Sequence, residues 1–166
     1  MDIDNIQLPA FIIHDLYQKT LVDLTESDKV KDKEIANEIK FFGGNNQRIL
    51  LLINNPGIAF LEDEQFTFLS GILNACKLTM EDIALINIAT YSTLSYKKIN
   101  ETFAPKIILM LGVSSASIQL PFVIPEFQQQ SYNNQVYLSV FSLNELEKNK
   151  DLKRKLWMAL QQIFSL

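Results

Sequence analysis

Residues 49–57 read Ile49-Leu50-Leu51-Leu52-Ile53-Asn54-Asn55-Pro56-Gly57, and this stretch decides the fold. Its first five residues are all apolar and show no polar alternation, which predicts a short strand buried on both faces of a parallel sheet. The run ends abruptly at two amides, a proline and a glycine. Ligands bind beyond the carboxyl ends of strands in open α/β sheets, where short polar residues and glycine bring the backbone close to a ligand. We therefore expect functional groups at this strand end.

Further apolar runs alternate with helical patterns along the rest of the chain. Three more buried strands are predicted, over residues 83–88, 107–111 and 136–141. Apolar residues at helical spacing predict helices over residues 62–77, 94–103 and 151–164. The polar segment 128–135 is expected to be a surface loop. This alternation of strands and helices predicts a three-layer αβα domain with a four-stranded parallel sheet and right-handed crossovers.

The residues before the first strand predict a separate helical extension. Pro9 can open a helix over residues 9–24 whose apolar stripe includes Phe11, Ile12 and Leu16. A second, charged helix is expected over residues 28–42, before Gly43 and Gly44. We expect residues 1–45 to form this extension and residues 46–166 to form the α/β domain. The apolar stripe either caps the sheet or lies in a groove on a partner protein.

Composition limits the kinds of function that this chain of 166 residues can have. The net charge of −4 argues against a protein that holds DNA mainly by neutralising phosphates, so we expect direct DNA binding to be weak or absent. One cysteine and one histidine give no set of thiolates or imidazoles for a metal centre, and we expect no metal and no cofactor. No apolar run approaches the roughly 20 residues of a membrane span, so we expect a cytoplasmic protein without membrane contact.

The order of these motifs resembles the uracil-DNA glycosylase superfamily over about residues 48–164. The resemblance is carried by five segments in the same order as in the family. They are Ile53-Asn54-Asn55-Pro56-Gly57, Phe66 with Gly71-Ile72-Leu73, Leu85-Ile86-Asn87-Ile88, residues 105–112 from Pro105 to Gly112, and residues 139–153 with Asn149 and Leu152-Lys153. The resemblance implies the glycosylase fold and a base pocket at the carboxyl ends of the strands.

The resemblance also implies roles for individual residues. A glycosylase stacks a flipped base on an aromatic ring, reads its edge with an amide and stabilises the departing anion. By this resemblance Phe66 supplies the ring, Asn87 supplies the amide, and Asn55 positions the attacking water beside Asn54. Ser142 stands where most of the superfamily carries histidine, and a hydroxyl lacks the tunable charge of an imidazole. Catalysis is therefore expected to be lost, with Asn55 the candidate catalytic residue if activity survives.

One non-catalytic branch of this fold, the psi subunit of bacterial DNA polymerase III, is also similar to the chain. The similarity lies in chain size, in four predicted strands and in the run Asp151-Leu152-Lys153-Arg154-Lys155-Leu156-Trp157. It implies an adaptor that joins the clamp loader to other replisome proteins, with Phe11, Ile12 and Leu16 as partner-binding residues. Two alternatives stay open: a divergent mismatch-type uracil or thymine glycosylase, and a nucleobase-binding protein that uses the same strand-end residues.

Overall fold

The computed structural model describes residues 38–166, and the predicted helix over residues 9–24 lies outside them, with its Phe11, Ile12 and Leu16. Contacts divide the chain into two compact units, residues 1–38 and residues 39–166. The second unit contains strands and helices in alternation, which confirms the predicted α/β class.

Five strands and four α-helices are found in the described part of the chain. The strands are β1 (Ile49–Ile53), β2 (Ile83–Asn87), β3 (Ile107–Leu111), β4 (Gln129–Tyr132) and β5 (Gln135–Val140). The helices are α1 (Asp63–Ala75), α2 (Tyr96–Phe103), α3 (Leu143–Lys148) and α4 (Lys150–Phe164). Short 3-10 turns at Ile88–Thr90 and Ser115–Ile118 follow β2 and β3. None of the helices among residues 38–166 has the length and apolarity that crossing a membrane requires.

The strands form one mixed sheet in the order β2-β1-β3-β5-β4. The neighbours β2, β1, β3 and β5 pair in parallel, whereas β4 runs antiparallel to β5. The prediction of a four-stranded, purely parallel sheet is therefore wrong in strand number and in sheet type. Chain order reverses between β1 and β3, since β1 leads outward to β2 and the chain then returns to β3. Such a reversal is where open α/β sheets bind ligands, at the carboxyl ends of the strands.

The apolar runs are buried because the sheet is covered on both faces. Ile49, Leu51 and Ile53 of β1 join a cluster with α1 and α4. Leu50 and Leu52, which point the opposite way, join a second cluster with α2. All five β1 residues are at most 2% exposed, as a continuous apolar strand requires.

The predicted surface loop over residues 128–135 is wrong, because it contains β4 and a tight hairpin turn. Asn133 and Asn134 have φ of +56° and +61°, and two successive positive φ angles are typical of the two-residue turns that join antiparallel strands. Asparagine tolerates this backbone better than most residues. β4 was not predicted because its residues are mostly polar and none of them is fully buried, so the strand has no apolar run that would indicate it.

The prediction of a helix over residues 28–42 is wrong for residues 38–42, which are the part of this segment that the structure describes. Residues 38–42 are not helical, and Phe42 pairs antiparallel with Leu85 on the outer edge of β2. Its N–H donates to the Leu85 carbonyl at 2.9 Å and its carbonyl accepts from the Leu85 N–H at 2.8 Å. This pairing satisfies backbone groups at an otherwise open sheet edge, which outweighs the weak helical preference of the segment.

Candidate functional site

Asn87 ends β2 and is 1% exposed, although its side chain is an amide. Its Nδ2 donates to the carbonyls of Asn55 and Ile58, both at 2.8 Å, and lies 3.4 Å from the carbonyl of Ala59. Its Oδ1 accepts from the N–H groups of Asn55 at 3.0 Å and Ala89 at 3.2 Å. An asparagine amide has two donor hydrogens and two acceptor lone pairs. In this conformation all four hydrogen-bonding positions of the amide are used by backbone groups of the loops that follow β1 and β2.

The Asn55 side chain is the first of three side-chain amides that are hydrogen-bonded in series. Its Nδ2 donates to the Phe60 carbonyl at 3.1 Å and to Gln65 Oε1 at 2.7 Å. Gln65 Nε2 in turn donates to Asn144 Oδ1 at 2.8 Å. Residues 55, 65 and 144 therefore link the loop after β1, helix α1 and helix α3. Gln65 is only 4% exposed, whereas Asn55 is half-buried and Asn144 is exposed, so the series runs from the protein interior to its surface.

The other two predicted pocket residues after β1 are open to solvent. Asn54 is exposed, and the Phe66 ring is 39% exposed. Phe66 meets the ring of Phe42 edge-on at 6.2 Å between centroids, and Phe42 also lies 5.9 Å from Phe60. An aromatic surface formed by these three rings therefore flanks the strand end.

Ser142 lies at the start of α3, directly after β5, and is its N-cap. Its Oγ accepts from the Glu145 N–H at 3.4 Å and donates to Glu145 Oε2 at 2.8 Å, and its own N–H donates to the same carboxylate oxygen at 3.1 Å. This reciprocal pattern is a capping box. The serine hydroxyl is thus engaged in starting a helix, next to a carboxylate.

Gly112 brings the end of β3 against this helix start. Its φ is +69°, and a Cβ atom at this position would lie 2.8 Å from the Ser142 Cβ. Glycine is therefore required here both for its backbone conformation and for space. The strand ends of β3 and β5 meet closely at this point.

A cavity of about 330 Å³ opens at the carboxyl ends of β3 and β5. The polar residues in its lining are Ser114, Ser115, Glu126, Ser139 and Glu145. The volume is near the lower end of the range for small-molecule pockets. Asn55 and Asn87 are not among the residues that line this cavity.

A comparison of the chain with protein-family models and with curated proteins finds no match. Among residues 38–166, no group of three or more histidine, cysteine or acidic side chains is placed to hold a metal ion. Cys76 is buried, and burial raises the pKa of its thiol, which keeps the thiol protonated and unreactive.

The structure brings Asn55 and Asn87 into direct contact, as their positions at the ends of neighbouring parallel strands predict. It also brings in Gln65 and Asn144, which were not predicted from the sequence. A weak signal for Gln65 was present, because Glu62 and Gln65 have the spacing of a capping box and form one at the start of α1. Nothing local in the sequence indicated Asn144, since it meets Gln65 across 79 residues.

Proposed function

We propose that this chain is a non-catalytic adaptor with a glycosylase-like fold, similar to the psi subunit of bacterial DNA polymerase III, and that it acts through protein partners in DNA replication. The observation that carries the proposal is the full engagement of the Asn87 amide with backbone groups. A residue that reads a base must offer its amide to the ligand. Here the same amide holds two loops in place.

The neighbouring polar groups support the same proposal. Asn55 is bonded to Gln65 and to a loop carbonyl, and the Ser142 hydroxyl is engaged in a capping box. A glycosylase needs a preorganised donor for the departing anion, and the loss of one such donor costs about 100- to 1,000-fold in rate in acyl-transfer enzymes. Amides and hydroxyls that serve the fold fit an adaptor better than an enzyme.

The proposal is tested by capture of partners with the tagged full-length chain from its native cells, followed by quantitative mass spectrometry. We expect clamp-loader components to be enriched over a tag-only control. A chain carrying aspartate at Phe11, Ile12 and Leu16 is expected to lose this enrichment, and circular dichroism checks that residues 39–166 still fold. A matched chain carrying aspartate at the exposed Lys97, Glu101 and Thr102 of α2 should retain it. The absence of every replication protein from the capture would contradict the proposal.

A nucleobase-binding role is the second candidate, and one observation favours it. Asn54 and the Phe66 ring are both exposed beside the strand end, so an amide and an aromatic face remain accessible there. Stacking on a ring and an amide contact are the two elements of base recognition. A free base or nucleoside that raises the melting temperature of the wild-type chain, but not of Phe66→Ala, would support this role because ligands that bind only the native state stabilise it.

A further inference from the structure

A groove of about 410 Å³ runs between α1 and α4, on the outer side of one sheet face. It is largely apolar, and Lys153 is the one charged residue in its lining. Its other principal lining residues are Phe68, Gly71, Ile72, Trp157 and Leu160. Exposed apolar surface that is rimmed by charged residues is a common feature of protein-protein contact sites.

The two helices that form this groove run side by side in the same direction. α1 follows β1, and α4 follows β5 and the short helix α3; both helices pack on the same sheet face. The Lys153 ammonium lies 5.1 Å from the centroid of the Phe68 ring, so the first halves of the two helices are adjacent. The second halves contribute Gly71, Trp157 and Leu160, where the lining is apolar.

The rims of the groove carry opposite charges at the beginning of the helices. On α1, Asp63 and Glu64 are exposed and lie one turn before the groove-lining Thr67 and Phe68. On α4, Lys150, Lys153 and Arg154 outnumber the single acid of that first turn, Asp151. One rim is therefore acidic and the other basic. A uniformly acidic or basic helix would be repelled by one of the two rims.

We propose that the occupant of this groove is a second copy of the same chain, in a symmetric dimer. A two-fold axis parallel to the helices places α1 of each copy opposite α4 of the other, with all four helices aligned. Glu64 and Asp63 then face Lys150 and Arg154 of the other copy, and the apolar halves face each other. An isologous interface must match its own surface in this way. This inference does not depend on the proposed adaptor function.

The size of the groove face limits the area that the dimer can bury. Helices of 13 and 15 residues are about 20 Å long and 10–12 Å across, so the face buries on the order of 1,000 Å² in total. Interfaces of this size belong to the weak and transient class. We expect a dissociation constant on the order of 100 µM.

Sedimentation velocity of the full-length chain, from about 5 µM to about 500 µM, tests the proposal. The average mass is expected to rise from the 19.0 kDa of one chain toward twice that value. The only tryptophan of the chain, Trp157, lines the groove and should shift its emission to shorter wavelength over the same range. A chain that stays monomeric throughout, with constant Trp157 emission, would overturn the proposal.

Exchanging the charges of two rim residues tests whether the groove is the dimer interface. Glu64→Lys and Lys150→Glu are each expected to weaken the dimer about tenfold, since the symmetric interface contains each contact twice, and the double variant should restore it. Glu101→Lys on α2, which packs on the other sheet face, is the matched control and should leave the dimer unchanged. A failure of the double variant to restore association would contradict this arrangement.

A variant inside the groove keeps the test independent of surface charge. A Cβ at Gly71 would meet no atom within 4 Å, so Gly71→Glu fits the fold while placing a carboxylate in the apolar half of the interface. We expect this variant to be monomeric over the whole concentration range and to keep the wild-type circular dichroism. Unchanged dimerisation of Gly71→Glu would exclude the groove as the interface.

Discussion

Replacing Asn87 with alanine tests the structural role of the strand-end amide. The change removes four hydrogen bonds of 2.8–3.2 Å from a side chain that is 1% exposed. A protein hydrogen bond contributes about 1 kcal/mol net, and a buried group left without its partner costs about 1–3 kcal/mol. The loop of residues 55–59 is half exposed, so water replaces some of the lost partners. We therefore expect the free energy of unfolding to fall by about 2–4 kcal/mol.

The assay is the urea unfolding of Asn87→Ala, monitored by far-UV circular dichroism. A slope of the transition equal to that of the wild type confirms that the two midpoints can be compared. Asn54→Ala is the matched control, because this asparagine is exposed and lies in the same loop. Its effect should stay within about 0.5 kcal/mol. Equal midpoints for the two variants would refute the view that the Asn87 amide holds the loops.

Asn87→Asp adds a pH dependence to the same test. A carboxylate at this position has no donor hydrogen and faces the carbonyl oxygens of Asn55 and Ile58. The N–H groups of Asn55 and Ala89 favour the charged form at one carboxyl oxygen. Burial and the two carbonyl oxygens that face the other oxygen oppose this, and we expect them to raise the folded-state pKa of the introduced carboxyl above the ordinary value of about 3.9. The folded state then binds more protons than the unfolded state between the two pKa values. The variant should accordingly become more stable as the pH falls from 7 toward 4, whereas Asn87→Ala should lack this component.

Three further predictions concern the fold. Gly112→Ala should lower the free energy of unfolding by about 1–3 kcal/mol in urea titrations, because φ is positive at this position and the added Cβ would clash with Ser142. Gly71→Ala should raise it by about 0.5–1 kcal/mol, because the added Cβ meets no atom within 4 Å and alanine is favoured over glycine in a helix. Asn134→Val should cost about 1–2 kcal/mol, measured by thermal unfolding, because the turn needs a positive φ. Burial raises the pKa of the Cys76 thiol and of the Tyr137 hydroxyl above their ordinary values of 9.0 and 10.0. The unfolded chain therefore loses these protons first, so urea midpoints should fall as the pH rises above about 9, with an earlier onset in wild type than in Cys76→Ala.

The buried parallel strands could be predicted from the sequence almost residue by residue. The first and third predicted strands coincide with β1 and β3 as they are observed, Ile49–Ile53 and Ile107–Leu111. Both are runs of large apolar residues that end at a polar residue or a glycine, and burial on two faces leaves no other pattern. The α/β class follows from the same runs.

Elements without a buried face could not be predicted in this way. β4 consists of Gln129–Tyr132, whose stability depends on its antiparallel partner and on the turn at Asn133 and Asn134. The six residues of α3 are too few for a helical period to stand out, although Ser142 and Glu145 have the spacing of a capping box. Such local hydrogen-bond signals are weak until the strands around them are known.

The candidate site was predictable to the extent that it depends on strand register. Ile53 and Asn87 are partners in the β1–β2 ladder, so the residues that follow β1 must lie beside Asn87. What the Asn87 amide bonds to is set by the path of residues 55–59, and no sequence pattern specifies that path. The base-binding roles that the resemblance implies stay predictions for Asn54, Asn55, Phe66, Asn87 and Ser142.

The central claim, that the strand-end amides serve the fold and not catalysis, is tested most directly by a base-release assay. Excess wild-type protein is incubated with single- and double-stranded oligonucleotides containing uracil, a thymine mismatch or hypoxanthine, and abasic sites are counted by alkaline cleavage. We predict no abasic sites above the protein-free reaction for any substrate. Base release by the wild type that is abolished in Asn55→Ala but retained in Asn54→Ala would contradict the claim.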